Sequence, residues 1–101
     1  MATTDAPQWN TVIHKSAQRE LHQAPVETAQ QLRQSIHEAA TYPQPTMHPD
    51  IRPLRGTENL FRVRQGQYRA LCDLRPPTLR VLLVHERDGV YSCIEQAQSR
   101  R

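Results

Sequence analysis

Glycine, cysteine, tryptophan, phenylalanine and lysine are all scarce in this 101-residue sequence: three, two, one, one and one, respectively. Two cysteines, Cys72 and Cys93, are too few for a disulfide scaffold or for a zinc site of four cysteines. The glycines, Gly56, Gly66 and Gly89, are too far apart to form a loop that cradles phosphate. No HxxxH, HExxH, CxxC or GxSxG spacing occurs, so neither a metal site nor an exposed serine nucleophile is expected. No apolar run approaches the roughly 18 residues of a membrane span. The first ten residues, MATTDAPQWN, lack the basic-then-apolar order of a signal peptide. The expectation is a reduced, cytoplasmic protein with no membrane association, metal or cofactor.

What the chain has instead is arginine. Twelve arginines accompany the single Lys15, against ten acidic residues. The formal net charge of +3 is unevenly spread. Residues 1–50 hold three basic and five acidic residues, a net −2, whereas residues 51–87 hold eight arginines and three acids, a net +5. A basic block of that density is an electrostatic footprint for a polyanion, and arginine's planar, permanently charged group suits phosphate. Solvated strand faces and genomic base composition explain such a skew equally well, so charge alone leaves the question open.

The length allows one domain. Residues 1–8 read as a polar leader. Trp9–Ile13 alternates with period two, as a short strand does. Ser16 is placed to cap a helix over Ala17–His22. Pro25 fits a first helical position, and Ala29, Leu32, Ile36 and Ala39 recur at spacings of three and four, which predicts an amphipathic helix over 25–40. Pro43, Pro45, Pro49 and Pro53 predict an extended, irregular crossing over 41–57. Leu60–Arg64, Tyr68–Leu74 and Leu79–His85 then read as a three-stranded antiparallel meander, turning at Gln65-Gly66-Gln67 and Arg75-Pro76-Pro77-Thr78. Residues 92–101 are a tail or a short helix. The predicted fold is α+β, in the order β-α-α-β-β-β, with a helical hairpin packed on one face of a small antiparallel sheet.

Alternation within the strands sorts their side chains. Phe61 and Val63 point to one side, Arg62 and Arg64 to the other. Tyr68, Ala70, Cys72 and Leu74 share a face, with Arg69, Leu71 and Asp73 opposite. Arg69 is thereby expected to join Arg62 and Arg64 on an open surface, near His85 and Arg87 at the end of the last strand and Tyr91 beyond it. Trp9, Phe61 and Cys72 are core candidates.

The runs Leu54-Arg55-Gly56, Leu60-Phe61-Arg62-Val63-Arg64, Gly66-Gln67-Tyr68-Arg69, Val84-His85-Glu86-Arg87 and Val90-Tyr91 resemble, in type and order, the RelE/ParE superfamily of toxins from toxin–antitoxin systems. The resemblance covers about residues 9 to 91. For the RelE branch it implies a metal-independent endoribonuclease that cleaves messenger RNA in the ribosomal decoding site. The 2′-hydroxyl attacks the adjacent phosphate, leaving a cyclic phosphate and a free 5′-hydroxyl. By matching position, Arg69 and Arg87 fall on phosphate-contacting arginines and Tyr91 on a C-terminal tyrosine. Arg62 and Arg64 stand where the family often has two functional lysines. Arginine stays protonated and serves poorly as a base. The base role therefore passes to Tyr91 or His85, although Tyr91 also suits stacking on an RNA base and His85 an ordinary hydrogen-bonded strand end. Arg55 joins Arg62 and Arg64 as an RNA contact, with solvated surface or an antitoxin contact as its other reading.

The implied partners are a cognate antitoxin, in a hetero-oligomeric complex, and messenger RNA on the ribosome. Two other functions stay open: a ParE-like inhibitor of DNA gyrase, which is a binding module and not a nuclease, and an inactive toxin-like protein that only binds a partner.

Overall fold

The computed structural model describes residues 8–86 and 93–101. Strand β1 (Asn10–Ile13) leads into helices α1 (Lys15–Gln23) and α2 (Val26–Ala40). A 3₁₀ turn at Pro45–Met47 precedes β2 (Ile51–Pro53), β3 (Leu60–Gln65), β4 (Tyr68–Arg75) and β5 (Thr78–Glu86), and α3 (Ile94–Ser99) follows. The five strands form one sheet in the order β1-β5-β4-β3-β2. The β1–β5 pair is parallel, and the other three pairs are antiparallel. The architecture is the expected α+β, with both long helices on one face.

The differences from the sequence reading have local causes. The 41–57 crossing is not irregular throughout, because Ile51-Arg52-Pro53 pairs with Phe61–Val63. Four prolines masked that strand; Pro53 is tolerated because β2 is an edge strand and its ring nitrogen owes no ladder bond. Helix α1 begins earlier than predicted: the cap is His14, whose Nδ1 accepts from the Ser16 N–H at 3.1 Å, not the Ser16 hydroxyl. Pro25 is the N-cap of α2 and its carbonyl accepts from the Ala29 N–H at 2.9 Å. Trp9 lies before β1 and is buried, with its indole donating to the Pro43 carbonyl at 3.0 Å.

One apolar layer fills the space between the sheet and α1/α2. Leu21, Leu32 and Ile36 from the helices meet Ile51, Val63, Ala70, Cys72, Leu79, Val81 and Val84 from the strands. The other side of the sheet was expected to be open, but α3 covers part of it. Leu54, Leu60, Leu71, Leu82 and Leu83 form a second, smaller cluster with Ala97, and Cys93 and Ile94 pack against it. Leu71 and Asp73 are therefore buried.

A bulge makes this two-sided burial compatible with β5. Leu71 pairs with Leu83 but Cys72 pairs with Val81, so Leu82 is an extra residue. The insertion reverses the alternation. Val81 faces α1 and α2, whereas Leu83 and His85 share the side of Leu71 and Arg69.

Beyond the bulge, no strand among the described residues pairs with the outer side of β5. The β1 pairing ends at Ile13↔Val81, followed by one bond from the His14 N–H to the Val81 carbonyl. Side chains complete the edge. Glu20 Oε1 accepts from the Val84 N–H at 2.9 Å, and Arg100 Nη1 donates to the Leu82 carbonyl at 2.9 Å. Glu20 and Arg100 also bind each other through two contacts of 3.1 Å. One bidentate pair thus links α1, β5 and the end of α3.

A second polar network ties α2 to the crossing. His48, buried, accepts from the Asp50 N–H through Nδ1 and meets Glu38 Oε1 through Nε2 at 2.9 Å. Asp50 Oδ2 accepts from the Ser35 hydroxyl and the Gln65 amide. Hydrogen bonds from His48 first, and Gln34 second, hold the Glu38 carboxyl below its ordinary pKa.

Glu20→Ala leaves the Val84 N–H without its acceptor and the Arg100 guanidinium with the Leu82 carbonyl but no carboxylate, and is expected to cost roughly 2–3 kcal/mol in urea unfolding. The double variant with Arg100→Ala should cost less than the sum of the two single changes. The depressed Glu38 pKa makes its contribution complete above the ordinary carboxylate value of about 4.3. That contribution disappears as pH falls through the lowered value, so the deficit in melting temperature of Glu38→Gln should shrink between about pH 6 and about pH 3.

Candidate functional site

The strand register brings the predicted cations to one face. Directly opposed residues in antiparallel strands project to the same side. Arg52 opposes Arg62, Arg64 opposes Arg69, and Arg69 opposes His85. β2, β3, β4 and β5 therefore each contribute to the side away from α1 and α2, where α3 leaves the sheet uncovered. The row Arg64–Arg69–His85 crosses three strands, a span of about 10 Å at the usual strand spacing. Arg52, Arg64 and His85 are exposed, and Arg62 and Arg69 are half-buried.

Two features of this face bear on chemistry. Arg69 Nη1 donates to the Gly66 and Tyr68 carbonyls at 3.1 and 3.0 Å, which holds the guanidinium over the β3–β4 turn. Gly66, at φ +58, supplies the left-handed turn that allows this approach. His85 Nδ1 lies 3.1 Å from the Glu86 carbonyl. A carbonyl only accepts, so that contact places the imidazole proton on Nδ1 and leaves Nε2 as the accepting nitrogen of the neutral ring.

The electrostatics of the face are one-sided. Like charges stand directly opposite one another at Arg52–Arg62 and Arg64–Arg69, an arrangement that destabilises a sheet. Among the described residues, no acid pairs with Arg52, Arg62 or Arg64. Among the described residues, Glu38 pairs with His48, Asp73 with Arg75 and Arg101, and Glu20 with Arg100. Cations gathered on adjacent strands raise the positive potential over this face.

Of the residues singled out in the sequence, Arg62, Arg64, Arg69 and His85 converge. Arg55 is exposed in the β2–β3 connection and no strand register carries it to this face. Arg87 and Tyr91 lie outside the described residues. Arg52 was missed; the alternation of Ile51, inward and buried, with Arg52, outward and exposed, was its signal among the prolines. Among the described residues, no three His, Cys, Asp or Glu side chains gather as a metal site, and no helix is long and apolar enough to cross a membrane.

Cys72 is fully buried on the helix side of β4. Burial first, and the neighbouring Asp73 charge second, push its thiol up to about 12. A thiol so protonated is no nucleophile at neutral pH. Peptide mapping after iodoacetamide treatment at about pH 8 should therefore find Cys72 unmodified in the native protein and alkylated after unfolding.

No family profile matches the chain. RelE1 of Methanocaldococcus jannaschii is 30% identical to it over 87 residues, which cover 82% of this chain and 94% of that protein. Among solved structures, a chain of the RelB–RelE antitoxin–toxin complex from Methanococcus jannaschii superposes with a TM-score of 0.68 at 20% identity, covering 82% of this chain and 98% of that one. A mutant of the Escherichia coli toxin RelE in the free state gives 0.68 at 15% identity, over 92% of this chain and 93% of that one. A chain of the RelBE2 toxin–antitoxin complex from Mycobacterium tuberculosis gives 0.65 at 23% identity, over 81% and 93%. At these identities the structural likeness establishes the fold.

Proposed function

The chain belongs to the RelE family of toxins from toxin–antitoxin systems, and on that footing we propose that it is an endoribonuclease that cleaves messenger RNA on the ribosome. The observation that carries the reading is the gathering of Arg52, Arg62 and Arg64, which pair with no acid among the described residues, on one sheet face with Arg69 and His85. The 2′-oxygen attacks the adjacent phosphorus, and the bond to the 5′-oxygen breaks. The products are a 2′,3′-cyclic phosphate and a free 5′-hydroxyl. Charge gathers on the phosphate oxygens, where a guanidinium already fixed in place stabilises it with little reorganisation. Arg69, held by two carbonyls, fits that role. His85 Nε2 accepts the 2′-proton, and the departing 5′-oxygen takes up a proton from solvent or from the resulting imidazolium. Arg62, Arg64 and Arg52 hold flanking phosphates, which position the strand without reading its bases. The requirement for a 2′-hydroxyl restricts the reaction to RNA.

Arg87 and Tyr91 enter by their matched positions, as a second phosphate contact and as a stacking or proton-transferring group. A RelB-type antitoxin is the proposed partner, supported by the complexes in which structurally similar chains occur. It would occupy the cationic face or the elements beside it until released, and the reaction places the protein in the cytoplasm.

Arg69→Ala should lower cleavage of translated messages by roughly 10²–10³-fold, the loss typical of a charge-stabilising donor. His85→Ala should lower it by roughly 10²–10⁴-fold. Both variants should keep the wild-type fold and relieve growth inhibition. Primer extension after induction reads the cuts directly: wild-type rates in both variants, or gyrase-linked DNA damage with no cuts in decoding-site register, overturn the nuclease reading. Arg52→Gln should weaken RNA binding and flatten its dependence on log salt by about 0.7, one phosphate contact on a single strand.

A further inference from the structure

At the far end of the same sheet face lies a second cluster of arginines, separated from Arg69 by four residues of β4, or about 13 Å. Asp73, Arg75, Thr78, Arg80 and Arg101 line a cavity of about 110 Å³ where β4 turns into β5. The cluster has two unsatisfied halves. Asp73 is 4% exposed, its Oδ2 is 3.1 Å from Arg75 Nε and 3.9 Å from Arg101 Nε, and its buried Oδ1 has no hydrogen-bond partner among the described residues. A buried carboxylate oxygen left this way is costly and calls for a donor. The arginines pose the opposite demand. Arg80 stands directly across from Asp73, and among the described residues its side chain makes no ion pair or hydrogen bond. Arg75 is 62% exposed and engages Asp73 through Nε.

A simple anion answers the arginines but repels Oδ1. A simple cation does the reverse. Both are answered by an oxyanion that carries a hydroxyl, or has one beside it. We infer that this cavity binds such a group, with the hydroxyl donating to Asp73 Oδ1 and the oxyanion receiving Arg80, Arg101 and a re-aimed Arg75. The exposed Arg75 guanidinium gives way to open the path to Oδ1. Two sources share this chemistry. Free hydrogen phosphate brings its own P–OH, which a phosphate monoester loses above its second pKa of about 6. The RNA backbone pairs a phosphodiester with the neighbouring ribose 2′-hydroxyl, and this source rests on the nuclease reading above.

Phosphate and sulfate test the inference without reference to cleavage, because near neutral pH phosphate keeps a proton that sulfate lacks. In titrations of the full chain at matched ionic strength, followed by the arginine Nε–Hε resonances, phosphate should bind roughly tenfold more tightly than sulfate, the factor of a charge-assisted hydrogen bond. Asp73→Asn should bring the ratio close to one. Should that variant unfold, Arg80→Gln, which leaves Asp73 in place, should weaken phosphate binding roughly tenfold. Equal binding of the two ions by the unaltered chain, or phosphate binding unaffected by Arg80→Gln, overturns the site and leaves adventitious ions only. An oligoribonucleotide that displaces phosphate where the same deoxyribonucleotide fails identifies RNA as the source. Displacement by neither identifies free phosphate. Equal displacement by both means capture by charge alone and overturns the role of the hydroxyl. A failure of the nuclease reading would leave the phosphate-to-sulfate ratio unchanged.

Discussion

The extra residue in β5 governs the arrangement of everything on the sheet's second side. Without Leu82 as a bulge, Val81, Leu83 and His85 would share one face of the strand, and no single face could satisfy them all. Val81 belongs with the helix-side core, Leu83 with the cluster under α3, and His85 with the arginines. The bulge also interrupts the edge where β1 runs out. The repair by Glu20 and Arg100 then joins the first helix to the last. Core division, edge protection and placement of the candidate base therefore all depend on one local irregularity. Bulges are enriched where a strand must re-aim a side chain, and this one does so at His85.

The reach of the sequence can be judged element by element. The helix over 25–40 was legible because Ala29, Leu32, Ile36 and Ala39 keep a helical period and all end up buried. The meander was legible because Gly66 and the Pro76-Pro77 pair punctuate alternating runs. β2 was not legible: three residues carry too little periodicity to stand out among four prolines, and its pairing with β3 is a tertiary fact. That omission concealed Arg52. The bulge was equally invisible, since Val81 through Val84 is a continuous apolar run with no mark of where alternation reverses. The burial of Leu71 and Asp73 was missed for a related reason. A short helix was one reading of residues 92–101, but six helical residues with only Ala97 fully buried give almost no amphipathic signal, so nothing showed that it would cover that face.

At the candidate site, Arg62, Arg64 and Arg69 were legible from alternation alone, because a two-residue period is enough to sort faces on either side of a short turn. Arg55 was not separable from them in the sequence. Its position beside Gly56 belongs to a connection, and only the register shows that it lies off the strand face. Asp73 is the sharper lesson. As a charged residue in an alternating strand it read as surface, yet it is nearly enclosed, and its ionic partners Arg75 and Arg101 are too far apart in sequence to be read as a group.

The directly opposed arginines of β2, β3 and β4 have a consequence for the life of the chain. Repulsion between them is present whenever the face is bare and is relieved whenever an anionic partner covers it, so any such partner binds the folded state preferentially and adds to its stability. The bare chain is then the least durable form of the protein. A chain bare of any such partner spends more of its time unfolded, and unfolded chain is what proteases cut.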